Sequence, residues 1–293
     1  MTQIITSLSE ISDRYDALFC DLWGCVHDGV RALPEAVAAL REWKARTGGT
    51  VVLVTNSPKP RASVAAQLEG FGVPRDCWDT IATSGDAARV AMFEGAVGHR
   101  VWHIGEPHDA PFFEPPAVLE FPAPIERVAL EEADGIVCTG PFDPRADPAE
   151  LRPQFLLAKT KGLPLLCANP DIVVDRGEAR EWCAGALAQL YTEMGGESLY
   201  FGKPHPPIYD LARRRMEQID RIVPEDRILA VGDGIHTDIQ GGMGENIDTL
   251  FITGGLARDQ IGTDASGAPD VKSLAKFLDD AALEPSFAIS ALR

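Results

Sequence analysis

A chain of 293 residues with 45% apolar and 24% charged residues is long enough to bury a large core, and its composition is that of a globular protein. The formal net charge of −17 opposes binding to nucleic acid and to acidic membrane surfaces, so we expect neither as a partner. The six cysteines include no C-x-x-C pair, which argues against a zinc site and a disulfide framework. No apolar stretch could span a bilayer, and the N-terminus lacks a secretion signal. The sequence therefore predicts a cytoplasmic protein.

Strand-like and helix-like stretches alternate at both ends of the chain. Apolar runs at residues 17–20, 50–54, 227–231 and 249–253 predict strands that are buried on both faces. Amphipathic stretches at residues 34–46, 60–71 and 206–219 predict helices. This alternation predicts a parallel sheet with helices on both faces, and ligands of such sheets bind beyond the carboxyl ends of the strands.

The middle of the chain predicts a second α/β unit inserted into the first. Strand candidates lie at residues 100–104, 135–139 and 164–168, with a helix candidate at 148–161. We therefore expect a discontinuous core of residues 1–98 and 188–293 and an inserted domain of residues 99–187. These boundaries carry a margin of about ten residues on each side.

Polar side chains follow four of the short apolar runs. In chain order they are Asp21, then Thr55 with Asn56, then Lys203, then Asp233 with Asp238. Taken one at a time, each has an ordinary explanation as a helix cap, a turn residue or a surface charge. Because the carboxyl ends of parallel strands meet at one edge of a sheet, the four together predict a common site.

Such a set suits phosphoryl transfer. Carboxylates are ligands that Mg²⁺ prefers, and an aspartate such as Asp21 can attack phosphorus to form an aspartyl phosphate. Lys203 would balance the charge of the phosphate, and Thr55 would hydrogen-bond its oxygens. Gly24 and Gly29 would let the chain bend sharply beside the ligand.

The motifs carry a family resemblance. Asp21, Thr55, Lys203 and the segment from Gly232 to Asp238 resemble the motifs of the haloacid dehalogenase-like hydrolase superfamily. The stretches GCVHDG, TNSP, CANPD and GKPHP resemble its subfamily IIA, the NagD-like branch. That resemblance implies a Rossmann-like core with an inserted α/β cap of the C2 type. It also implies a phosphatase acting on a small phosphorylated metabolite of the sugar, nucleotide, glycerol or pyridoxal phosphate class.

The resemblance further implies roles for individual residues. Asp21 would be the nucleophile, and Mg²⁺ would be held by Asp21, the backbone carbonyl of Trp23 and Asp233. Asp238 would be a further ligand or the partner of one. The phosphate would be held by Thr55, Asn56 and Lys203. Caps of this type can pair, so a homodimer is compatible with the sequence, which leaves the oligomeric state open.

The cap offers two further candidates in the CANPD stretch. Asn169 and Asp171 close a predicted strand of the inserted domain, where they could face the substrate and help to select it. An Asx-Pro turn explains the same residues equally well, and the sequence leaves both alternatives open.

The position of Trp23 departs from the family pattern. Most phosphatases of the superfamily have an aspartate there, which protonates the leaving group, and indole cannot replace it. His27 or Asp28 could substitute as the acid, or the native leaving group could need no proton, as in a phosphonate, an acyl phosphate or a haloacid. Haloacid chemistry needs no Mg²⁺, so Asp233 and Asp238 argue against it. A third alternative is a protein that binds a phosphate ligand and turns it over poorly or not at all.

Overall fold

The computed structural model describes residues 2–117, 119–120, 122–176 and 179–293, which form two compact units. The first unit comprises residues 2–55, Ala65–Ala82 and Tyr209–Arg293. The second comprises Asn56–Val64 and Thr83–Ile208. Among the helices in these described ranges, none has both the length and the hydrophobicity that crossing a membrane requires.

The secondary structure follows the alternation that the sequence predicts. The strands are β1 (Gln3–Ile4), β2 (Ala17–Cys20), β3 (Thr50–Thr55), β4 (Thr80–Thr83), β5 (Arg100–Ile104), β6 (Glu126–Arg127), β7 (Gly135–Cys138), β8 (Pro164–Cys167), β9 (Val173–Arg176), β10 (Ala179–Trp182), β11 (Glu197–Tyr200), β12 (Ile228–Gly232), β13 (Asp248–Ile252) and β14 (Phe287–Ile289). The helices are α1 (Pro34–Thr47), α2 (Arg61–Gly70), α3 (Ser84–Phe93), α4 (Arg152–Lys161), α5 (Ala184–Glu193), α6 (Pro206–Glu217), α7 (Gln240–Gly244), α8 (Arg258–Ile261) and α9 (Val271–Ala281).

The first unit is built on a seven-stranded sheet with the order β1-β14-β13-β12-β2-β3-β4. Strand β12 pairs in parallel with β13 and β2, and β2 pairs in parallel with β3. Every residue of β2, β3 and β12 is buried, which explains why these strands are nearly continuous apolar runs. The register places Cys20 beside Val231 on one side and Leu53 on the other, so the three strands end at nearly the same level.

The second unit has its own five-stranded sheet with the order β11-β8-β7-β5-β6. Its pairs are all parallel, whereas β9 and β10 form a separate antiparallel hairpin. On one face, Val137 packs in a core with Met92 of α3. On the other, Ile136 packs in a core with Phe155 of α4 and Tyr191 of α5. Neighbouring residues of β7 therefore serve opposite faces, as strand geometry requires.

The two parallel sheets with their helices confirm the predicted α/β class of a Rossmann-like core with an inserted α/β unit. The predicted helix at residues 148–161 is shorter than expected, because a 3₁₀ turn at Pro148–Leu151 precedes α4. Pro153 then occupies the first turn of α4, where its missing N–H costs nothing.

The two compact units divide the chain differently from the predicted domains, whose boundaries stay a prediction. Residues 83–98 and 188–208, which the sequence assigns to the core domain, lie in the second unit together with Asn56–Val64. The reason is packing, since α3 supplies one core of the second sheet and β11 pairs with β8 at its edge. The strand that precedes Lys203 therefore belongs to a different sheet from the strand that precedes Asp21, contrary to the expectation of one shared sheet edge.

Candidate active site

Asp21 follows β2 directly and extends its pairing with β12. Its backbone N–H donates to the carbonyl oxygen of Val231 at 2.8 Å, and its side chain is buried. The chain then turns back at once, because the N–H groups of Val26 and His27 both donate to the carbonyl of Leu22. The carboxyl end of a buried strand and this tight turn together fix the position of Asp21.

Gly24 is required by the same turn. It has φ +78°, a conformation that L residues with side chains rarely adopt, and a Cβ there would overlap the carboxylate of Asp233. The N–H of Gly24 donates to the carbonyl of His27 at 2.9 Å and so closes the turn. The glycine thus permits both the bend and the close approach of the loop to Asp233.

Asp233 follows β12, the strand beside β2, and its side chain lies between two glycines. One oxygen, Oδ2, accepts a hydrogen bond from the backbone N–H of Leu256 at 3.0 Å. A Cβ at Gly255 would overlap this carboxylate, as one at Gly24 would. The absence of side chains at these two positions leaves the space that a buried carboxylate occupies here.

Asp238 lies in a π-helical turn, Ile235–Ile239, that leads into α7. Its Oδ2 accepts a hydrogen bond from the N–H of Gly234 at 3.0 Å, and a Cβ at Gly232 would overlap its carboxyl group. This buried carboxylate therefore ties down the loop that carries Asp233. Its predicted role as a metal ligand, or as the partner of one, stays a prediction.

Asp21, Cys25 and Asp233 form a buried group of donors. Within the described ranges, an oxygen of each carboxylate and the Cys25 sulfur all lie within 4.8 Å of one another. Burial raises the pKa of the Cys25 thiol, and the carboxylates of Asp233 and Asp21 raise it further. Two buried carboxylates so close together call for a compensating positive charge, and their hard oxygens suit Mg²⁺. The two carboxylates of the group therefore fit the cation that the sequence predicts.

The sequence does not single out Cys25 as part of this site. It lies four residues after Asp21, in a loop whose return toward β12 depends on backbone hydrogen bonds that a motif does not display. Gly24, immediately before it, is the signal in the sequence that the chain can reverse there. Its φ of +78° shows that the chain does so.

Trp23 is packed into the loop by its own neighbours. Its indole lies over Gly29, which has φ +84° and no room for a Cβ beneath the ring. The ring also meets the imidazole of His27 edge to face, with centroids 5.4 Å apart, and His27 meets Phe71 in the same way at 5.1 Å. The indole at the position of the usual aspartate is thus part of a small aromatic cluster.

His27 and Asp28 are poorly suited to donate a proton near neutral pH. Burial lowers the pKa of His27 to about 4, and its Nδ1 accepts a hydrogen bond from the N–H of Gly29 at 3.0 Å. The pKa of Asp28 lies below its usual value, first because its carboxylate accepts a hydrogen bond from the N–H of Arg31 and also because it accepts one from Val30. His27 is therefore neutral and Asp28 ionised, and a catalytic role for either stays a prediction.

Thr55 is the last residue of β3 and is buried. Because β3 pairs with β2 in parallel, Thr55 closes the strand next to the one that carries Asp21. The first unit thus provides the predicted residues Asp21, Thr55, Asp233 and Asp238 from adjacent strand ends.

In the second unit, Asn56 joins two of the predicted residues. Its Oδ1 accepts a hydrogen bond from the N–H of Lys203 at 2.7 Å, while its Nδ2 donates to the carbonyl of Lys203 and to Oδ1 of Asp171, at 3.1 and 2.8 Å. A Cβ at Gly202 would meet Asn56, so the glycine permits this approach. The amide of Asn56 holds the backbone of Lys203, and its predicted role in binding substrate stays a prediction.

Asn169 and Asp171 form the Asx turn that the sequence offers as one alternative. The N–H of Asp171 donates to Oδ1 of Asn169 at 3.0 Å, and Asn169 is buried at the end of β8. The turn presents the Asp171 carboxylate to Asn56. Whether these two residues also select a substrate stays a prediction.

Two protein-family models match the two segments of the chain that carry the motifs of Asp21 with Thr55 and of Lys203 with Asp233. A model described as haloacid dehalogenase-like hydrolase matches residues 18–114, and one described as HAD-hydrolase-like matches residues 200–279. A crystal structure of a haloacid dehalogenase-like hydrolase from Brucella suis is 38% identical, covers 99% of this chain and 100% of its own, and has a TM-score of 0.84.

Two further proteins extend the comparison. The 5′-nucleotidase YutF of Bacillus subtilis is 26% identical over 258 residues, which are 87% of this chain and 93% of that protein. A glycerol phosphate phosphatase of Mycobacterium tuberculosis, solved in complex with magnesium, shares the fold with a TM-score of 0.62. It is 24% identical, and the match covers 89% of this chain and 74% of that chain.

The glycine cradle of Asp233 yields a testable prediction. Gly255→Ala forces the Asp233 carboxylate to move, so we expect divalent cation affinity to fall by about tenfold or more. Isothermal titration calorimetry with Mg²⁺ measures the change. Gly244→Ala is the matched control, because a Cβ there meets nothing within 4 Å. Equal affinities of the two folded variants would contradict the prediction.

The buried His27 predicts a pH dependence of stability. Its pKa of about 4 in the folded protein lies below the ordinary value of 6.5, so the unfolded chain takes up the proton first. The stability that the neutral imidazole provides is complete above pH 6.5, and about 3 kcal/mol of it is lost as the pH falls to 4. We expect His27→Asn, which retains an acceptor for the N–H of Gly29, to lose less free energy of unfolding over the same pH range. Urea unfolding at pH 7.5, 5.5 and 4 tests this, and parallel losses in both proteins would refute it.

Proposed function

The chain belongs to the haloacid dehalogenase-like hydrolase family, and we propose that it is a Mg²⁺-dependent phosphatase of a small phosphorylated metabolite. The observation that carries the proposal is the pair of buried carboxylates, Asp21 and Asp233, at the ends of the adjacent parallel strands β2 and β12. One carboxylate to attack phosphorus and a second to hold a cation are the minimum that this chemistry needs.

Asp21 acts as the nucleophile in the proposed mechanism. A carboxylate oxygen of Asp21 attacks the phosphorus atom, the bond from phosphorus to the leaving oxygen breaks, and an aspartyl phosphate forms. Water then attacks the phosphorus of this intermediate, releasing inorganic phosphate and restoring the Asp21 carboxylate. The backbone pairing of Asp21 with Val231 holds the nucleophile at a fixed place through both steps.

Asp233, together with Asp21 and the backbone carbonyl of Trp23, would hold Mg²⁺. The cation, when bound, neutralises charge on the phosphoryl oxygens. The hydrogen bond from Leu256 and the flanking glycines orient Asp233 for this role. Asp238 supports the same loop through Gly234. The magnesium complex of the phosphatase from Mycobacterium tuberculosis supports the choice of cation.

Thr55 and Lys203 complete the proposed machinery. The Thr55 hydroxyl would donate to a phosphoryl oxygen, and the Lys203 ammonium would offset the phosphate charge. Asn56, which accepts a hydrogen bond from the backbone N–H of Lys203 and donates one to its carbonyl, would keep that lysine in place. Asn169 and Asp171 are proposed to help select the substrate. These assignments rest on the order of the motifs along the chain.

The names of two similar proteins, a 5′-nucleotidase and a glycerol phosphate phosphatase, support a small phosphorylated substrate. The choice among sugar, nucleotide, glycerol and pyridoxal phosphates rests with loops of the inserted unit. The expected absence of nucleic acid and membrane partners, and a homodimer, stay predictions.

A second candidate function follows from Trp23. Because His27 is neutral and Asp28 ionised, neither supplies a ready proton to a leaving group. A substrate whose leaving group departs without a proton, such as an acyl phosphate or a phosphonate, would suit the site as it stands. The weakly catalytic or non-catalytic binding protein is the limiting case, in which even such a substrate is not cleaved.

Phosphate release from a panel of phosphomonoesters tests the proposal. The panel spans good and poor leaving groups and is run with Mg²⁺ and with EDTA. We expect release that requires Mg²⁺ and is lost in Asp21→Asn, because an amide oxygen is a far weaker nucleophile than a carboxylate. Asp264→Asn, in an exposed loop, controls for the general effect of removing one negative charge. Release that survives in Asp21→Asn would rule out Asp21 as the nucleophile, and no release at all from folded wild-type protein would rule out the phosphatase.

Trp23→Asp tests whether the missing acid limits turnover. A restored aspartate should raise the rate on poor leaving groups by about a hundredfold or more and leave good leaving groups nearly unchanged. Trp23→Asn is the matched control, since asparagine has the same size as aspartate and no ionisable proton. If Trp23→Asp and Trp23→Asn behave alike on poor leaving groups, another residue already supplies the proton or the site does not use one.

A further inference from the structure

All six cysteines of the chain are buried free thiols, and Cys25 differs from the others in its surroundings. In the described part of the chain, it is the cysteine whose sulfur lies within 4.8 Å of oxygens from both Asp21 and Asp233. Cys20, at the end of β2, instead directs its Sγ to the backbone carbonyl of Asp21 at 3.2 Å. The sulfur of Cys25 is thus a third side-chain donor beside the two carboxylates.

The dimensions of the group suit a single cation. With Zn²⁺ bonds of about 2.0 to 2.3 Å and tetrahedral angles, two donors of one ion lie about 3.3 to 3.8 Å apart. The three donors here, all within 4.8 Å of one another, reach that spacing if each pair closes by at most about 1.5 Å. Their chemistry is mixed, because carboxylate oxygen prefers Mg²⁺ whereas sulfur selects softer metals.

We propose that Cys25 makes this cation site receptive to thiophilic divalent metals, so that Zn²⁺ or Cd²⁺ competes with Mg²⁺ for the same place. The inference rests on the proposed function for the Mg²⁺ site itself. As the metal–sulfur bond forms, the S–H bond of Cys25 breaks and its proton passes to solvent, with no change of oxidation state. Asp21, Asp233 and the backbone carbonyl of Trp23 would supply the remaining protein ligands. An excess of such a metal would displace Mg²⁺ from the site and lower Mg²⁺-dependent turnover.

The test uses Cd²⁺ and Mg²⁺ with the full-length protein and no substrate. Titration with Cd²⁺ should produce an ultraviolet sulfur-to-cadmium charge-transfer band that saturates at one equivalent. Excess Mg²⁺ should remove the band, because both ions occupy one site. In Cys25→Ser the band should disappear and Cd²⁺ affinity should fall by about tenfold to a hundredfold, while Mg²⁺ affinity changes by less than about threefold.

Cys20→Ser is the matched control, since Cys20 is equally buried and close in sequence. It should keep the band and both affinities. If Cys25→Ser does not fold, Cys25→Ala and the displacement of the wild-type band by Mg²⁺ carry the test. Binding of Mg²⁺ to the wild type without a Cd²⁺ band, a band that survives in Cys25→Ser, or a band that Mg²⁺ does not displace would overturn the inference. Binding of neither ion would instead remove the cation site from the proposed function.

Discussion

The burial of two like charges side by side is the constraint on which the rest of the site depends. At a separation of 4.8 Å or less, two carboxylates at an effective dielectric constant of about 20 repel each other by at least about 3 kcal/mol. Desolvation adds to that cost. The fold bears it because Asp21 and Asp233 follow adjacent buried strands whose pairing fixes their backbones. The proposed cation would turn this unfavourable pair into a favourable one, and its binding would then be linked to stability.

Glycine residues leave the space that these carboxylates occupy. Gly24 and Gly255 border Asp233, and Gly232 borders Asp238, each at a place where a Cβ would overlap a carboxylate. Backbone N–H groups of Leu256 and Gly234 then reach the carboxylate oxygens directly. Donors fixed in the main chain need no reorganisation when charge changes in a reaction. The glycines of this site therefore contribute to its electrostatics as well as to its turns.

The sequence predicts the parts of the fold that depend on local pattern. Strand β2 is found at its predicted bounds because an apolar run buried on both faces is unambiguous, and Asp21 and Asp233 stand out as polar residues that end such runs. The sheet to which β11 belongs was not predictable, since an apolar run does not reveal its partner strand. The position of α3 in the second unit has the same cause, because an apolar helix face does not reveal the sheet against which it packs. Cys25 was missed since its place beside the carboxylates depends on how a turn closes.

In the loop after Asp21, the backbone conformation and the side chain at position 23 are independent of each other. Its closure relies on main-chain bonds, in which Gly24 donates to His27 and His27 donates to Leu22, and none of these involves the side chain at position 23. The indole of Trp23 adds packing against Gly29 and His27 and leaves that backbone frame as it is. An aspartate and a tryptophan can therefore occupy the same place on the same turn, the one supplying a proton and the other an apolar surface. In the proposed mechanism, the nucleophile Asp21 and the cation ligand Asp233 are positioned by the ends of paired strands, whereas the acid depends on a side chain that the turn does not constrain.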